Sequence, residues 1–279
     1  MHHIQEPVLT LPEQAFFTLY GMQDSNADTY FSGLSGLQLP IPKYSYPPSF
    51  ENASRLTYYS SLFNSIEFNS SFYKIPQAKT VAKWAASVPD SFRFTFKLWK
   101  GITHNKGLLF KKEDVIAFFN SINAVPDKKG CLLIQFPPSL GRECIVQLES
   151  LLDLIAEINS PPDWKVAIEF RNTTWYHEKV YDIVDSYNAT IVIQDIPRSA
   201  TPLLNQTADF VYIRFHGPTG NYRDSYSNEF LHEYTIYIAE WLEEGKTVYA
   251  YFNNTMGDAF LNLKTLNDQL TEKINNAKL

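Results

Sequence analysis

Eight short runs rich in β-branched and aromatic residues, closed by Pro, Gly or Asn and separated by longer segments of helical spacing, constrain this chain more than any other feature. The runs are YFSGLSG (30–36), SIEFNSS (65–71), FRFTFKL (92–98), CLLIQF (131–136), KVAIEFR (165–171), TIVIQD (190–195), FVYIRFH (210–216) and VYAYFNN (248–254). Helical spacing falls in 48–63, with Ser49 as the expected cap, and in 78–88, 112–122, 145–158, 178–187, 228–244 and 258–276. The stretch IPRSATPLLNQTA after the sixth run carries two prolines and is too short for a helix, so an irregular connection is expected there. Eight strands alternating with helices, with no internal duplication and no long linker, predict an α/β fold: a (β/α)8 TIM-type barrel over residues 30–279. A doubly wound sheet is the alternative. Residues 1–29 form an expected N-terminal extension, whose FFTLY (16–20) packs against the barrel bottom or a second subunit.

Composition narrows the class. The chain is 44% hydrophobic and 19% charged, and no apolar run approaches the roughly 18 residues of a membrane span. The opening MHHIQEPVLTLPEQ has no basic region followed by an apolar one, so the expected location is the cytoplasm and N-x-S/T triplets such as 69–71 and 172–174 are chance matches. Cys131 and Cys144 stand without CxxC spacing or a companion His and read as small buried hydrophobes. A net charge of −6 and the absence of any Lys/Arg cluster along the sequence disfavour nucleic acid and anionic membranes as partners, while leaving room for a local basic pocket.

Side chains alternate across a strand, and each strand of a barrel turns one parity inward. On one parity stand Glu67 and Asn69, Thr95 and Lys97, Gln135, Glu169 and Arg171, Asp195, Arg214 and His216, and Asn253. The other parity holds Ile66, Phe68, Phe94, Phe96, Ile134, Phe136, Ile168, Phe170, Ile213 and Phe215. The polar set crowds toward the C-terminal ends of the strands, where barrels of this class place their active sites.

The segments SGLSGLQLP, FNSIEFNSSFYKIP, FRFTFKLWKGITH, LLIQFPPSL, VAIEFRNTTWY, VIQD, VYIRFHGPTGNYRDSYS and VYAYFNNTMGDA occur in the order that resembles the domain of unknown function 72 (YecE-like) family, across about residues 30–262. That resemblance implies a single bacterial, intracellular barrel domain and no named reaction. Two positions depart from the family's pattern. Leu37 stands where members commonly have Trp after the first-strand Gly-x-Ser-Gly, and Asn172 where they commonly have His after the strand-five Glu-x-Arg.

The inward groups support two kinds of function. In the first, Glu67, Glu169 and Asp195 act as catalytic acids and bases on a small anionic metabolite such as a sugar phosphate or nucleotide fragment, by hydrolysis or isomerisation. Lys97, His104, Arg171, Arg214 and His216 then hold the anion, with Asn69, Gln135, Tyr222 and Asn253 as further substrate contacts. In the second, the protein binds nucleic acid ends or an anionic ligand without turnover, and 217–227 is a contact loop. The bland counterpart of both is a salt-bridge plug that fills the barrel. A divalent metal on Glu67, Glu169, Asp195 and His216 would suit fold analogues among sugar isomerases and abasic-site endonucleases, but Lys97 and two arginines on the same parity disfavour it, so no metal or other cofactor is expected. Phe72, Tyr73, Trp99, Trp175 and Tyr222 are either stacking surfaces or core, and Ser35 of the GLSG turn is a pocket wall rather than a nucleophile.

Overall fold

The computed structural model describes residues 29–202 and 206–277; the expected extension, with FFTLY at 16–20, lies outside the described residues except for Thr29. The first half of the chain runs β1 (Tyr30–Leu34), α1 (Arg55–Tyr59), β2 (Ser65–Phe68), α2 (Ser70–Tyr73), α3 (Ala78–Ala86), β3 (Arg93–Lys97), α4 (Lys100–Thr103), α5 (Lys112–Ile122) and β4 (Lys129–Phe136). The second half runs α6 (Ile145–Ile158), β5 (Lys165–Phe170), α7 (Glu178–Ser186), β6 (Thr190–Ile191), β7 (Ile193–Gln194), β8 (Phe210–Phe215), α8 (Asn228–Glu243), β9 (Thr247–Phe252) and α9 (Ala259–Ala277). One cap differs from expectation. Residues 48–50 close a short 3₁₀ turn begun by Pro48, and α1 starts later, with Ser54 rather than Ser49 accepting the Thr57 amide. The described part of the connection after β7 contains no helix.

All ladders are parallel, in two sheets of order β1-β9-β8-β7 and β2-β3-β4-β5-β6. The sheets share their sixth strand. Val192, between β6 and β7, donates its amide to Ile168 of β5 at 2.9 Å, and the next residue, Ile193, pairs with Ile213 of β8. At the other junction, β1 meets β2 through side chains. Asn64 accepts from the Ser32 amide at 2.9 Å and donates to the Tyr30 carbonyl at 2.8 Å. The Tyr59 hydroxyl accepts from the Leu34 amide at 2.7 Å and donates to the Ser65 carbonyl at 3.0 Å. Gly33 belongs to this seam by necessity, since a Cβ there would lie 2.1 Å from the Ser65 oxygen.

Eight strands in cyclic order thus enclose one interior, a TIM-type barrel. Phe31, Cys131, Leu133, Ala167, Val192, Phe210, Tyr212, Tyr249 and Tyr251 meet there, drawn from both sheets. Tyr251 crosses it to bond Ser65 Oγ at 2.6 Å and Thr95 Oγ1 at 2.8 Å. The opposite parity, including Ile66, Phe94, Ile134, Phe170 and Phe215, packs under the helices. Apolar filling therefore occupies the lower and middle barrel, which leaves the polar members of the inward parity stacked at the C-terminal end. No helix among the described residues is long and apolar enough to cross a membrane.

Candidate functional site

Arg214 sits at the centre of the C-terminal end of the barrel and is 1% exposed. Its Nε and Nη2 donate to the two oxygens of Glu67 at 2.9 and 2.7 Å, a bidentate pair, and its Nη1 donates to Glu169 Oε2. Tyr212, two residues before it and therefore on the same inward parity, donates its hydroxyl to Glu67 Oε2 at 2.5 Å. Glu169 also accepts from Arg171 Nε and Nη2. Both guanidiniums reach His216, Arg171 Nη2 at 2.9 Å and Arg214 Nη1 at 3.1 Å from Nε2. A nitrogen facing two cationic donors must offer its lone pair, so His216 carries its proton on Nδ1, which lies 3.3 Å from Asp195 Oδ1. Asp195 Oδ1 accepts the His216 amide as well, at 2.8 Å, and Oδ2 accepts the Tyr226 hydroxyl. Tyr222 closes the edge, its hydroxyl accepting from Arg171 Nη1 at 3.3 Å.

These contacts fix the charge states. Burial would raise the Glu67 carboxyl, but the Arg214 guanidinium outweighs it and holds Glu67 below the usual range. Glu169 is lowered the same way, by Arg171 and then Arg214 against burial. For Arg214 burial is outweighed by Glu169 and Glu67, which raise it. His216 is lowered, chiefly by burial, with Arg214 and Arg171 adding to the effect. The framework is thus two ionised glutamates, two guanidiniums and a neutral imidazole held by a carboxylate.

Lys97 stands apart from that framework. It is 9% exposed, its Nζ lies 4.2 Å from the centre of the Phe72 ring, and that Nζ forms no ion pair or hydrogen bond among the described residues, while the Lys97 carbonyl accepts from the Ser71 hydroxyl at 2.7 Å. Burial and then the Arg214 charge push its amine down to about 7, against partial restoration by Glu169 and Glu67. Two further polar groups stand just past the ends of β1 and β2. The Ser35 hydroxyl and Asn69 Oδ1 are buried and make no hydrogen bond of good geometry among the described residues, although the hydroxyl lies close enough to Glu67 to help lower its carboxyl, while Asn69 Nδ2 donates to the Ser35 carbonyl at 3.3 Å. Extending the β2–β3 register by one residue sets Asn69 opposite Lys97. One sector of the mouth is saturated; the other holds an amine, a hydroxyl and an amide oxygen with nothing to bind.

The remaining expected residues divide. His104 lies on the rim, edge-on to Phe72 at 4.9 Å and bonded to Thr103 Oγ1 at 2.8 Å; partial burial, then Lys97 and Lys100, lower it to about 4. Gln135 donates to the Phe136 carbonyl at 2.8 Å, and Asn253 enters only through its backbone, donating to the Phe215 carbonyl at 2.7 Å, so neither joins the network. Asn172 caps the turn at 173–175 by accepting the Thr174 amide, Trp175 is core, and Leu37 packs against the core from its edge. Two members went unnoticed in the sequence. Tyr212 shares the parity of Arg214 and His216 and was findable from it, whereas Tyr226 arrives from an irregular loop with no periodic signal. Among the described residues no three His, Cys, Asp or Glu side chains are placed to share a metal ion. Two surface grooves lie away from this site, one of about 570 Å³ at the opposite end of the barrel beside Trp164 and Asp209, one of about 640 Å³ between α8 and α9.

The profile of the family described as "Protein of unknown function DUF72" matches residues 32–278. UPF0759 protein YunF of Bacillus subtilis is 27% identical over 245 residues, 76% of this chain and 84% of YunF. UPF0759 protein YecE of Escherichia coli K12 is 24% identical over 141 residues, half of each chain. Among solved structures, a DUF72 family protein of Thermotoga maritima superimposes with a TM-score of 0.71 at 25% identity, covering 88% of this chain and 99% of its own. One from Enterococcus faecalis gives 0.72 at 23%, covering 86% and 95%.

Proposed function

This chain belongs to the DUF72 family, whose description names no reaction, and from the site alone we propose that the barrel mouth is the centre of an acid–base enzyme acting on a small anionic metabolite. The reaction class is hydrolysis or isomerisation, and Lys97 is the group that takes up and returns the proton. The observation that carries this reading is the buried Lys97 amine, unpaired among the described residues and pushed to about 7 beside an array of fixed charges. A lysine desolvated next to other cations is activated in this way, and an amine that titrates near neutrality is matched to proton transfer. Glu67, Glu169 and Asp195 serve as the frame: held ionised or committed to His216, they position charge rather than exchange protons. The Ser35 hydroxyl and Asn69 Oδ1 supply contacts for substrate hydroxyls, which favours a sugar phosphate over a dicarboxylate.

The test has two arms. In a thermal-shift panel of phosphates, sugar phosphates, nucleotides and dicarboxylates, a ligand at about one hundred times its Kd stabilises by about 2.7 kcal/mol, a rise of roughly 5 to 10 °C for a chain of this size. A responding ligand should then be converted by the wild type and left unconverted by Lys97→Met. If no anion moves the melt, or if Lys97→Met still turns the ligand over, the reading is wrong. A ligand that binds both proteins and is converted by neither would instead establish a binder.

A further inference from the structure

Residues 69–112 contain nine of the 24 Lys and Arg of this chain and one of its 30 Asp and Glu. Apart from the adjacent Lys111 and Lys112 these cations are spread singly through 44 residues, and the fold is what gathers them. Lys74 follows α2, Lys100 lies in α4, Lys106 in the next turn, and Lys79 and Lys111 at the starts of α3 and α5, all on the connections leaving the C-terminal ends of β2 and β3. All five are exposed and none forms an ion pair among the described residues; Lys112 is the neighbour that does, with Glu157 at 3.3 Å. The first acids nearby, Glu113 and Asp114, lie just beyond, in the first turn of α5. Exposed rings stand among these charges. Tyr73 is 66% exposed, braced edge-on against Phe72 at 5.1 Å, with Lys100 Nζ 5.5 Å from its ring centre, and Leu109 is 69% exposed on the same rim.

Unneutralised cations would disperse in an acidic chain if they served only solubility. Here they line one arc beside a presented aromatic face, which is the pairing that a phosphodiester chain with unstacked bases requires. We propose that the rim over β2 and β3 is a docking track for single-stranded nucleic acid, with phosphates on Lys74, Lys100 and Lys106 and a base stacked on Tyr73. The track stands independently of the chemistry of Lys97, since its contact residues Lys74, Lys100, Lys106 and Tyr73 include neither Lys97 nor any member of the buried ion network.

Fluorescence anisotropy with labelled dT20 tests it on the full chain. Three phosphate contacts give a salt slope near −2, so affinity should fall about 20-fold between 50 and 200 mM salt. Replacing Lys74, Lys100 and Lys106 together with Glu should abolish binding, whereas the same reversal at Lys179, Lys264 and Lys273, on α7 and α9, should change it little. All six sit on the surface or part-buried, and matched melting curves would confirm folding. Tyr73→Ser should weaken dT20 about tenfold, from one lost stacking contact, and leave inorganic polyphosphate unaffected. Absence of dT20 binding at 50 mM salt, unchanged binding in the rim triple variant, or equal competition by duplex and by polyphosphate with no effect of Tyr73→Ser would overturn the proposal.

Discussion

Replacing Lys97 by Met should make the protein more stable, and by an amount that depends on pH in a defined way. In the unfolded chain this amine titrates near 10.4; in the folded barrel it is pushed down to about 7. Between those values the unfolded state binds a proton that the folded state has released, so wild-type stability rises with pH across that interval. Below about 7 both states are protonated and the cost of keeping the ammonium in the barrel is constant. At pH 7 that cost is about 4 kcal/mol, and it shrinks by about 1.4 kcal/mol per unit to below about 1 kcal/mol at pH 10. Methionine keeps the apolar stem against Phe72 and loses the cation–π contact, worth about 1 kcal/mol, so a net gain of about 3 kcal/mol is expected at pH 7. Urea unfolding of both proteins at pH 7, 8, 9 and 10 measures the difference, and titrations common to both cancel. A gap that stays flat across this range, or a variant less stable than wild type at pH 7, would show that Lys97 is an ordinary charged lysine and would remove the basis for its proposed role.

Arg214→Met should do the reverse, costing about 3 to 5 kcal/mol by leaving Glu67 and part of Glu169 buried without a counter-charge; chemical denaturation at pH 7 reads it, and a neutral outcome contradicts the pairing. On the acid side two limbs are expected. His216 is lowered, so stability declines as pH falls below about 6.5, where only the unfolded imidazole takes a proton, and Glu67 and Glu169 are lowered, so a second decline follows below about 4.5 as the unfolded carboxylates protonate first. His104 is lowered as well, so His216→Asn should shrink the first limb, His104→Asn added to it should remove it, and the second limb should stay. Tyr59→Phe should cost about 2 to 4 kcal/mol by stripping partners from the Leu34 amide and the Ser65 carbonyl, and hydrogen exchange at the Leu34 amide should accelerate with it.

How far the molecule was legible from its residues depended on which property carried the signal. Strand positions and facing were readable because alternation is a geometric property of any strand, and Ile66, Phe94, Ile168 and Ile213 pack outward as their parity requires. Strand six is instructive, because Val192 points into the barrel, so alternation alone would turn Asp195 away; it reaches His216 because the strand ends at Gln194. Depth and partnership were not readable. That Arg214 is sealed between two glutamates while Lys97, on the same parity, is left without one depends on where four strands place their ends, and that is long-range information. The cations of 69–112 were hidden for the opposite reason: their clustering exists in space and not along the chain.

The seam between β1 and β2 has an evolutionary reading. Elsewhere the strands are held edge to edge by backbone groups, which no substitution except proline removes. Here the closure is delegated to Asn64 and Tyr59, with Gly33 admitting the close approach, so three codons hold shut what the peptide bond secures at the other junctions. The barrel has one door, and its hinge is heritable. Because Ser35 and Asn69 lie just past the ends of those two strands, a change at any of the three would alter the width of the sector where unbonded groups await a ligand. Relatives could therefore retune what they bind by substitutions in a wall, with the charged frame left untouched.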